Sequence, residues 1–377
     1  MIDPIFQPFT FANGITLKNR VVMAPMTTWS SNEDETISNE ELAYYRSRAH
    51  GVGLVLTGCT HVQPSGIGFT HEFAAYDDRF IPSLRKLASA AKSGGATAVL
   101  QLFHAGNKAV PELIPNGELV SASAVAAPKG PFNDGKLASR ALTEQEILDV
   151  IRDFGEATRR AIEAGFDGIE LHGAHGFLIQ NFLSPLFNQR TDKWGGTLEN
   201  RMRFPLEVVR EVRRVISEYA DRPFLLGYRI SPEEPGEGAL HIDDALALAD
   251  QLANEGHIDY LHTSLYNILS GTSQEDTTGK TTAERFVEVI AGRIPLMAAG
   301  EIRTPDEARE AVKMDLPMVV VGRSLVMNPN WVEMAQTGQE SEIKMQLDSS
   351  SSAKALQIPT KLWEVINATP GWFPVNA

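Results

Sequence analysis

The chain has 377 residues, 34 of them Lys or Arg and 48 Asp or Glu, giving a formal net charge of −14, with 43% hydrophobic and 22% charged residues. This composition excludes an intrinsically disordered or collagen-like chain. The acidic balance, with no basic run interleaved with aromatics, turns the reading away from nucleic acid and anionic membrane surfaces and toward small-molecule partners.

Cys59 is the single cysteine, which excludes an intramolecular disulfide, a cysteine-based zinc site and an iron–sulfur cluster held by several thiolates. A reducing, cytoplasmic setting is expected, because Met1-Ile2-Asp3-Pro4 lacks the basic-then-apolar order of a signal peptide and no apolar run approaches a membrane span.

In chain order, Phe9 to Leu17 with Asn13-Gly14 inside it predicts a β-hairpin placed to plug a barrel floor. Short apolar runs then predict strands at Val21 to Pro25, Gly53 to Gly58, Ala98 to Phe103, Gly168 to His172, Phe224 to Ile230, Tyr260 to Thr263, Pro295 to Gly300 and Met318 to Gly322. The runs are continuous rather than alternating, as in parallel strands buried on both faces.

Helical stretches separate most of them. Thr143 with Glu146 forms a capping box ahead of a stripe through Ile147, Val150, Ile151, Phe154 and Ala161, and Thr304-Pro305 with Glu307 repeats that start signal. Glycines at 94–95, 165 and 256 then lead from helix into strand.

The economical reading is an α/β fold, an eightfold (β/α) TIM barrel over residues 1–377 as one domain, with a doubly wound open sheet as the alternative. The Pro/Gly/Ala-rich segment Ala105 to Leu142 is a long insertion after the third strand, and 340–377 is a C-terminal tail. In that tail Ser349 to Ser352 reads as a mobile low-complexity loop before a C-terminal helix.

Barrel chemistry comes from the C-terminal ends of strands. Those ends hold Pro25-Met26-Thr27, Gly58, Gln101 to His104, His172 with His175, Arg229, Thr263-Ser264, Gly300 and Gly322-Arg323. They include no lysine for a Schiff base and no obvious facing carboxylate pair, although Glu233 and Glu234 follow the fifth strand. The set donates hydrogen bonds, binds phosphate and polarises a carbonyl. Gly51-Val-Gly53, Gly66-Ile-Gly68 and Gly236-Glu-Gly238 all lack the third glycine of a dinucleotide fingerprint. Gly300 and Gly322-Arg323 stand where barrels build phosphate sites, or are only tight turns.

Val21-Val-Met-Ala-Pro-Met-Thr27, His172-Gly-Ala-His-Gly-Phe-Leu178, Phe182-Leu-Ser-Pro-Leu-Phe-Asn-Gln-Arg-Thr-Asp192, Trp194-Gly-Gly-Thr-Leu-Glu-Asn-Arg201 and Arg203-Phe204 resemble the Old Yellow Enzyme (NADH:flavin oxidoreductase) family. The resemblance runs from about residue 4 to about residue 335. It implies an FMN-containing barrel that passes hydride from NADH or NADPH to activated alkenes.

Position by position it implies Pro25, Met26 and Thr27 beside the flavin ring, with the Thr27 hydroxyl on flavin O4, and Gly58 and Gln101 at the ring edge. Arg229 is implied near N1 and O2, where a guanidinium stabilises the reduced anion, and Gly300, Gly322 and Arg323 at the phosphate. His172 and His175 are then the clamp on a substrate carbonyl oxygen. Taken alone, that pair reads equally as core histidines or as metal ligands completed by His104 and His262.

One departure bears on mechanism. Two residues after the second histidine the family generally has a tyrosine that protonates the substrate, and here Phe177 has no proton to give. Tyr266, just beyond the sixth strand, is the expected substitute, with Tyr76, Trp29 and water behind it. Slow reduction of cyclohexenone relative to NAD(P)H oxidation is expected, with quinones, nitro compounds or oxygen as alternative acceptors. Trp29 is expected to pack over the substrate pocket or merely to cover the barrel mouth. With no separate dinucleotide domain, nicotinamide and acceptor share one flavin face, which implies ping-pong kinetics. The competing classes are a non-redox barrel lyase using His172 and His175 on a metal, and a binding module without turnover. The acceptor, NADH against NADPH, and whether the chain forms a homo-oligomer stay open at this stage.

Overall fold

The computed structural model describes residues 3–130, 135–348 and 351–375. Eight parallel strands close into a barrel: β1 (Val21–Met23), β2 (Leu54–His61), β3 (Thr97–Phe103), β4 (Gly168–Gly173), β5 (Leu225–Ile230), β6 (Tyr260–Ser264), β7 (Leu296–Ala299) and β8 (Met318–Val321). β8 pairs with β1 and β5 with β6, so no edge remains in the ring. Seven helices follow the first seven strands in turn: α1 (Asn39–Arg48), α2 (Ile81–Lys92), α3 (Glu144–Ala164), α4 (Leu198–Tyr219), α5 (Ile242–Glu255), α6 (Thr282–Ile290) and α7 (Pro305–Lys313). The predicted starts are present, with capping boxes at Thr143/Glu146 and Thr304/Glu307. Gly165 adopts the left-handed conformation at the end of α3 (φ 89°), which a side chain would strain.

The hairpin forms, and it does plug the floor. Phe9–Thr10 pairs antiparallel with Thr16–Leu17, and Asn13 Nδ2 donates to the Phe224 carbonyl (3.3 Å). Phe11 enters an interior cluster with Val22, Leu54, Val99, Leu225, Tyr260, Met297 and Met318. The turn is wider than a two-residue Asn-Gly turn: Phe11 N donates to the Ile15 carbonyl across loop 11–15, and the Asn13 side chain accepts from Ile15 N. With the lower barrel filled by these side chains, the upper rim is left for chemistry.

Most predicted strands end within a residue or two of the observed ones. The exception is β2, which runs past Gly58 to His61 because its register with β3 shifts between Leu56 and Cys59. A bulge there absorbs an extra residue, so Gly58 lies inside the strand and not at its end. The excursion after β3 contributes two short strands, Val120–Ser121 and Arg140–Ala141, paired parallel. The Ser349–Ser352 run falls partly outside the described residues; residues 351 and 352 begin a short helix, Ser351–Ala355, where a loop is expected from sequence.

No helix among the described residues is long and apolar enough to cross a membrane.

Candidate active site

Two adjoining depressions of ≈ 450 and ≈ 530 Å³ open at the C-terminal rim and share Pro25, Met26, Arg229 and Trp372. The strand registers explain which side chains meet there. Gln101 of β3 lies opposite Glu170 of β4, His172 of β4 opposite Arg229 of β5, and Arg229 opposite His262 of β6. Glu170 and His172 are two residues apart on one strand and so face the same side.

A buried polar network underlies the floor. Gln101 Nε2 donates to Glu170 Oε1 (2.7 Å), and His262 Nδ1 hydrogen-bonds Glu170 Oε2 (3.0 Å). Burial by itself raises the Glu170 carboxyl pKa, but His262, Arg229 and Gln101 outweigh it and hold the group below its ordinary range. Burial lowers the His262 pKa, so that imidazole is neutral and donates from Nδ1. Charge balance is therefore between Glu170 and Arg229. Because its amide nitrogen is committed to Glu170, Gln101 keeps Oε1 as an acceptor, which takes a weak bond from the Cys59 thiol (3.6 Å). Burial raises the Cys59 pKa well above the ordinary thiol value, so Cys59 is a wall and not a nucleophile.

Arg229 is 6% exposed; its Nη2 donates to Ser264 Oγ (3.1 Å), while its Nε is buried without a partner. An orphaned guanidinium N–H in a cavity wall is a donor awaiting an acceptor. That is the fit expected for the electron-rich edge of a flavin.

Beside it, the His172 and His175 rings lie 5.0 Å apart at 75°. His172 is buried whereas His175 reaches solvent at the rim; desolvation within the cavity wall, then neighbouring positive groups including Arg229 and Lys108, push both pKa values well below the ordinary histidine value, so both rings are neutral. His172 Nδ1 accepts from Ala174 N (3.3 Å), which puts its proton on Nε2. His175 holds left-handed backbone (φ 59°), an uncommon state for a non-glycine residue, with its N–H on Ser231 Oγ (2.9 Å) and its Nε2 2.7 Å from Ser264 Oγ.

The larger depression is walled by Trp29, Phe69, Phe177 and Trp372. Trp29 also has positive φ (50°) and packs edge-on against Phe69 (5.3 Å) and Trp372 (5.8 Å). The loop bearing Phe69 is tied down by Glu72, which accepts from Gly68 N (3.3 Å) and pairs with His61 (2.7 Å). The smaller depression is lined by Gly300, Gly322, Arg323 and Ser324, with Gly322 capping the helix Arg323–Met327 (α8). No side chain at Gly322 fills that cradle. Arg323 Nη1 donates to the Trp372 carbonyl (2.9 Å), so the C-terminal tail closes over its own barrel.

The rim thus gathers Pro25, Met26, Thr27, Trp29, Gln101, His172, His175, Phe177 and Arg229 in one depression and Gly300, Gly322 and Arg323 in the other. Two expected residues lie elsewhere. Gly58 does not line the cavity but sits beneath the 25–27 segment, where a Cβ would come within 2.7 Å of the Met26 carbonyl oxygen. Tyr266 is 89% exposed and absent from the lining, which corrects the expectation that it replaces the missing tyrosine: β6 ends at Ser264 and the chain turns outward.

Sequence reasoning missed Glu170, Lys108, Phe69 and Trp372. An acid inside an apolar run two residues before His172 was a legible signal; the other three reach the cavity only through loops and tail. Of the further ligands that a metal reading requires, His104 turns its Nε2 to Ser65 Oγ (3.2 Å), and His262 commits Nδ1 to Glu170 while its Nε2 is buried without a partner. Among the described residues no three ligating side chains converge.

Comparison with known proteins agrees with this geometry. Residues 4–342 match the NADH:flavin oxidoreductase / NADH oxidase family. The chain is 43% identical over 371 residues, 98% of each protein, to a probable NADH-dependent flavin oxidoreductase, YqiG, of Bacillus subtilis (strain 168). Among solved structures, morphinone reductase in complex with tetrahydroNAD superposes with a TM-score of 0.75 at 28% identity, over 89% of this chain and 91% of the other. The Old Yellow Enzyme homologue of Zymomonas mobilis does so with a TM-score of 0.76 at 26% identity, over 89% and 92%.

Proposed function

We propose, from the premise that the chain belongs to the NADH:flavin oxidoreductase / NADH oxidase family and is an FMN-dependent oxidoreductase, that it draws hydride from NADH or NADPH and delivers it to an electrophilic small molecule. Activated alkenes, quinones and nitro compounds are the acceptor classes, used in a ping-pong cycle at one cavity face. The observation that carries the reading is Arg229, a buried guanidinium with an unpartnered Nε, set beside two neutral imidazoles at the barrel rim.

Pro25, Met26, Thr27, Gln101 and Arg229 would hold the ring of FMN, with Gly58 allowing the 25–27 segment its close approach; Gly300, Gly322 and Arg323 would hold its phosphate. In this reading residues 1–377 act as one FMN-binding unit. Bound there, FMN supplies two-electron chemistry, accepting hydride from the nicotinamide and donating it to the acceptor.

The chain's own residues supply position and charge. The Arg229 guanidinium, balanced by Glu170, offers a fixed positive field to charge that builds up on reduction, without reorganisation. His172 donates from Nε2 to an acceptor carbonyl oxygen, and His175, held by Ser231 and Ser264, supports the same oxygen. Trp29 and Phe177 form apolar walls that limit water. Since Phe177 has no proton to give and Tyr266 points outward, the proton for an alkene carbon comes from solvent. That step slows enone reduction relative to NAD(P)H oxidation. A cytosolic setting belongs to the proposal, supported by the single cysteine.

The test is a purification with FMN followed by anaerobic NADH and then cyclohexenone. Support is a yellow protein whose visible band bleaches with NADH and returns, slowly, with the enone. A colourless protein that takes up no FMN, or a bound flavin inert to both nucleotides, overturns the reading.

A further inference from the structure

Two aromatic walls of the larger depression come from different loops. Trp29 lies between β1 and α1 and Phe69 between β2 and α2, each on irregular backbone, yet their rings meet edge-on at 5.3 Å. The loops touch through their backbones, with Ser31 N donating to the His71 carbonyl (3.0 Å) and Ala74 N to the Glu35 carbonyl (3.3 Å). Below that contact lies a buried charge cluster that the chemistry described above does not use.

His61, the last residue of β2 and fully buried, stands between one carboxylate from each loop. Its Nδ1 hydrogen-bonds Glu72 Oε1 (2.7 Å), and its Nε2 is at ion-pair distance from Glu35 Oε1 (3.5 Å). Glu72 Oε2 accepts from the N–H of Gly68, the residue before Phe69 (3.3 Å). Glu35 Oε2 accepts from the Tyr76 hydroxyl (2.7 Å), whose oxygen takes a bond from Arg79 Nη2 (2.8 Å). A neutral imidazole has one N–H to give; here each ring nitrogen faces a carboxylate oxygen, so the geometry calls for the doubly protonated, charged ring. Burial alone would lower the His61 pKa, but Glu35 and Glu72 outweigh it and raise it to about 9. The other titratable groups nearby agree with that charge. His104, just beyond β3, is kept neutral by burial and then by the charge of His61, and Tyr76 stays a phenol because burial and then Glu35 raise its pKa. Arg79 is exposed, 3.8 Å from Glu35.

We propose that His61 is a positioning residue for acceptor binding: by bridging Glu35 and Glu72 it locks together the loops that carry Trp29 and Phe69, and so sets the width of the pocket those rings wall. This rests on the oxidoreductase reading above, which makes that depression the seat of the acceptor. His61 lines neither depression, so its effect reaches the acceptor only through the two aromatic rings. A merely structural histidine would lower stability and leave the pocket as it is.

The experiment is stopped-flow reoxidation of the FMN-loaded, NADH-reduced enzyme by cyclohexenone, which separates the Kd of the enone from the limiting rate, together with the Kd of FMN from flavin fluorescence. His61→Gln, which keeps a donor but carries no charge, should raise the enone Kd about 3- to 10-fold and leave the FMN Kd within about twofold. Phe69→Ala should raise the enone Kd as well, and the double variant no further than Phe69→Ala alone, because His61 acts through that ring. A group whose folded pKa is raised loses its contribution as pH rises through that value, so the wild-type enone Kd should climb between about pH 7.5 and about pH 10, and in His61→Gln it should not. If His61→Gln does not fold, Glu35→Gln cuts the bridge at its half-buried end and should raise the enone Kd in the same direction. An unchanged enone Kd in the folded variant, effects that add in full in the double variant, or a climb with pH that persists in His61→Gln overturns the proposal. Bleaching of the flavin by NADH in the same preparation separates the two readings: if it occurs, only the role of His61 falls; if it does not, the oxidoreductase reading falls first.

Discussion

Replacing Glu170 by glutamine keeps the shape of the side chain and removes the negative charge beneath the cavity. Glu170 is fully buried, bonded to Gln101 and His262, and with His262 neutral it is the counter-charge to Arg229. The variant strands a buried guanidinium. The two groups act on each other through space and not as a contact ion pair, so the loss should come to about 1–3 kcal/mol, less than the about 3–5 kcal/mol of breaking a direct buried pair.

The double variant Glu170→Gln/Arg229→Met removes both charges and should recover at least about 1 kcal/mol relative to the sum of the two single losses. The assay is urea unfolding of FMN-free protein followed by tryptophan fluorescence, so that ligand binding does not enter the balance. A carboxyl whose folded pKa is depressed adds stability above its unfolded pKa and loses it as pH falls through the lower folded value. The deficit of Glu170→Gln should therefore be complete at neutral pH and shrink as the pH drops below the ordinary value of 4.5. A loss under about 0.5 kcal/mol at neutral pH, or a deficit that does not change on acidification, would refute the charge balance assigned here.

If FMN binds as proposed, Arg229→Met withdraws a charged donor from its reduced form, and about 1.5–3 kcal/mol of lost hydrogen bonding should make the two-electron midpoint potential more negative by roughly 30–65 mV, read by dye-coupled reductive titration. His172→Ala deletes the Nε2–H donor and should weaken binding of a phenolate such as 4-chlorophenolate by about 10- to 100-fold, followed by perturbation of the visible flavin band. Tyr266→Phe should leave cyclohexenone turnover unchanged, because that ring is 89% exposed and outside the cavity lining; Phe177→Tyr, which restores a dissociable proton beside His172 (ring centres 4.9 Å apart), should accelerate it in stopped-flow reoxidation. At Gly227 a Cβ would collide with the Tyr260 ring inside the barrel, so Gly227→Ala should lose about 1–3 kcal/mol in the same urea assay.

The amino-acid order alone determined the ring of strands and much of its rim. Continuous apolar runs between capped helical stretches encode buried parallel strands locally, and residues such as His172, Arg229 and Gly322 sit at strand ends whose position follows from counting along the chain. That logic fails where an irregularity or a distant segment intervenes. The register shift in β2 moved Gly58 from rim to support, and the outward turn after Ser264 took Tyr266 away from the chemistry. Lys108 enters from the excursion and Trp372 from the tail; neither carries a periodic signal, because nothing in their own neighbourhoods depends on where they land. The electrostatic coupling of Glu170 to Arg229 was likewise a decision of the closed barrel. Only when β4 and β5 lie side by side does a buried carboxylate share one low-dielectric site with a buried guanidinium, and only there does either charge become tolerable.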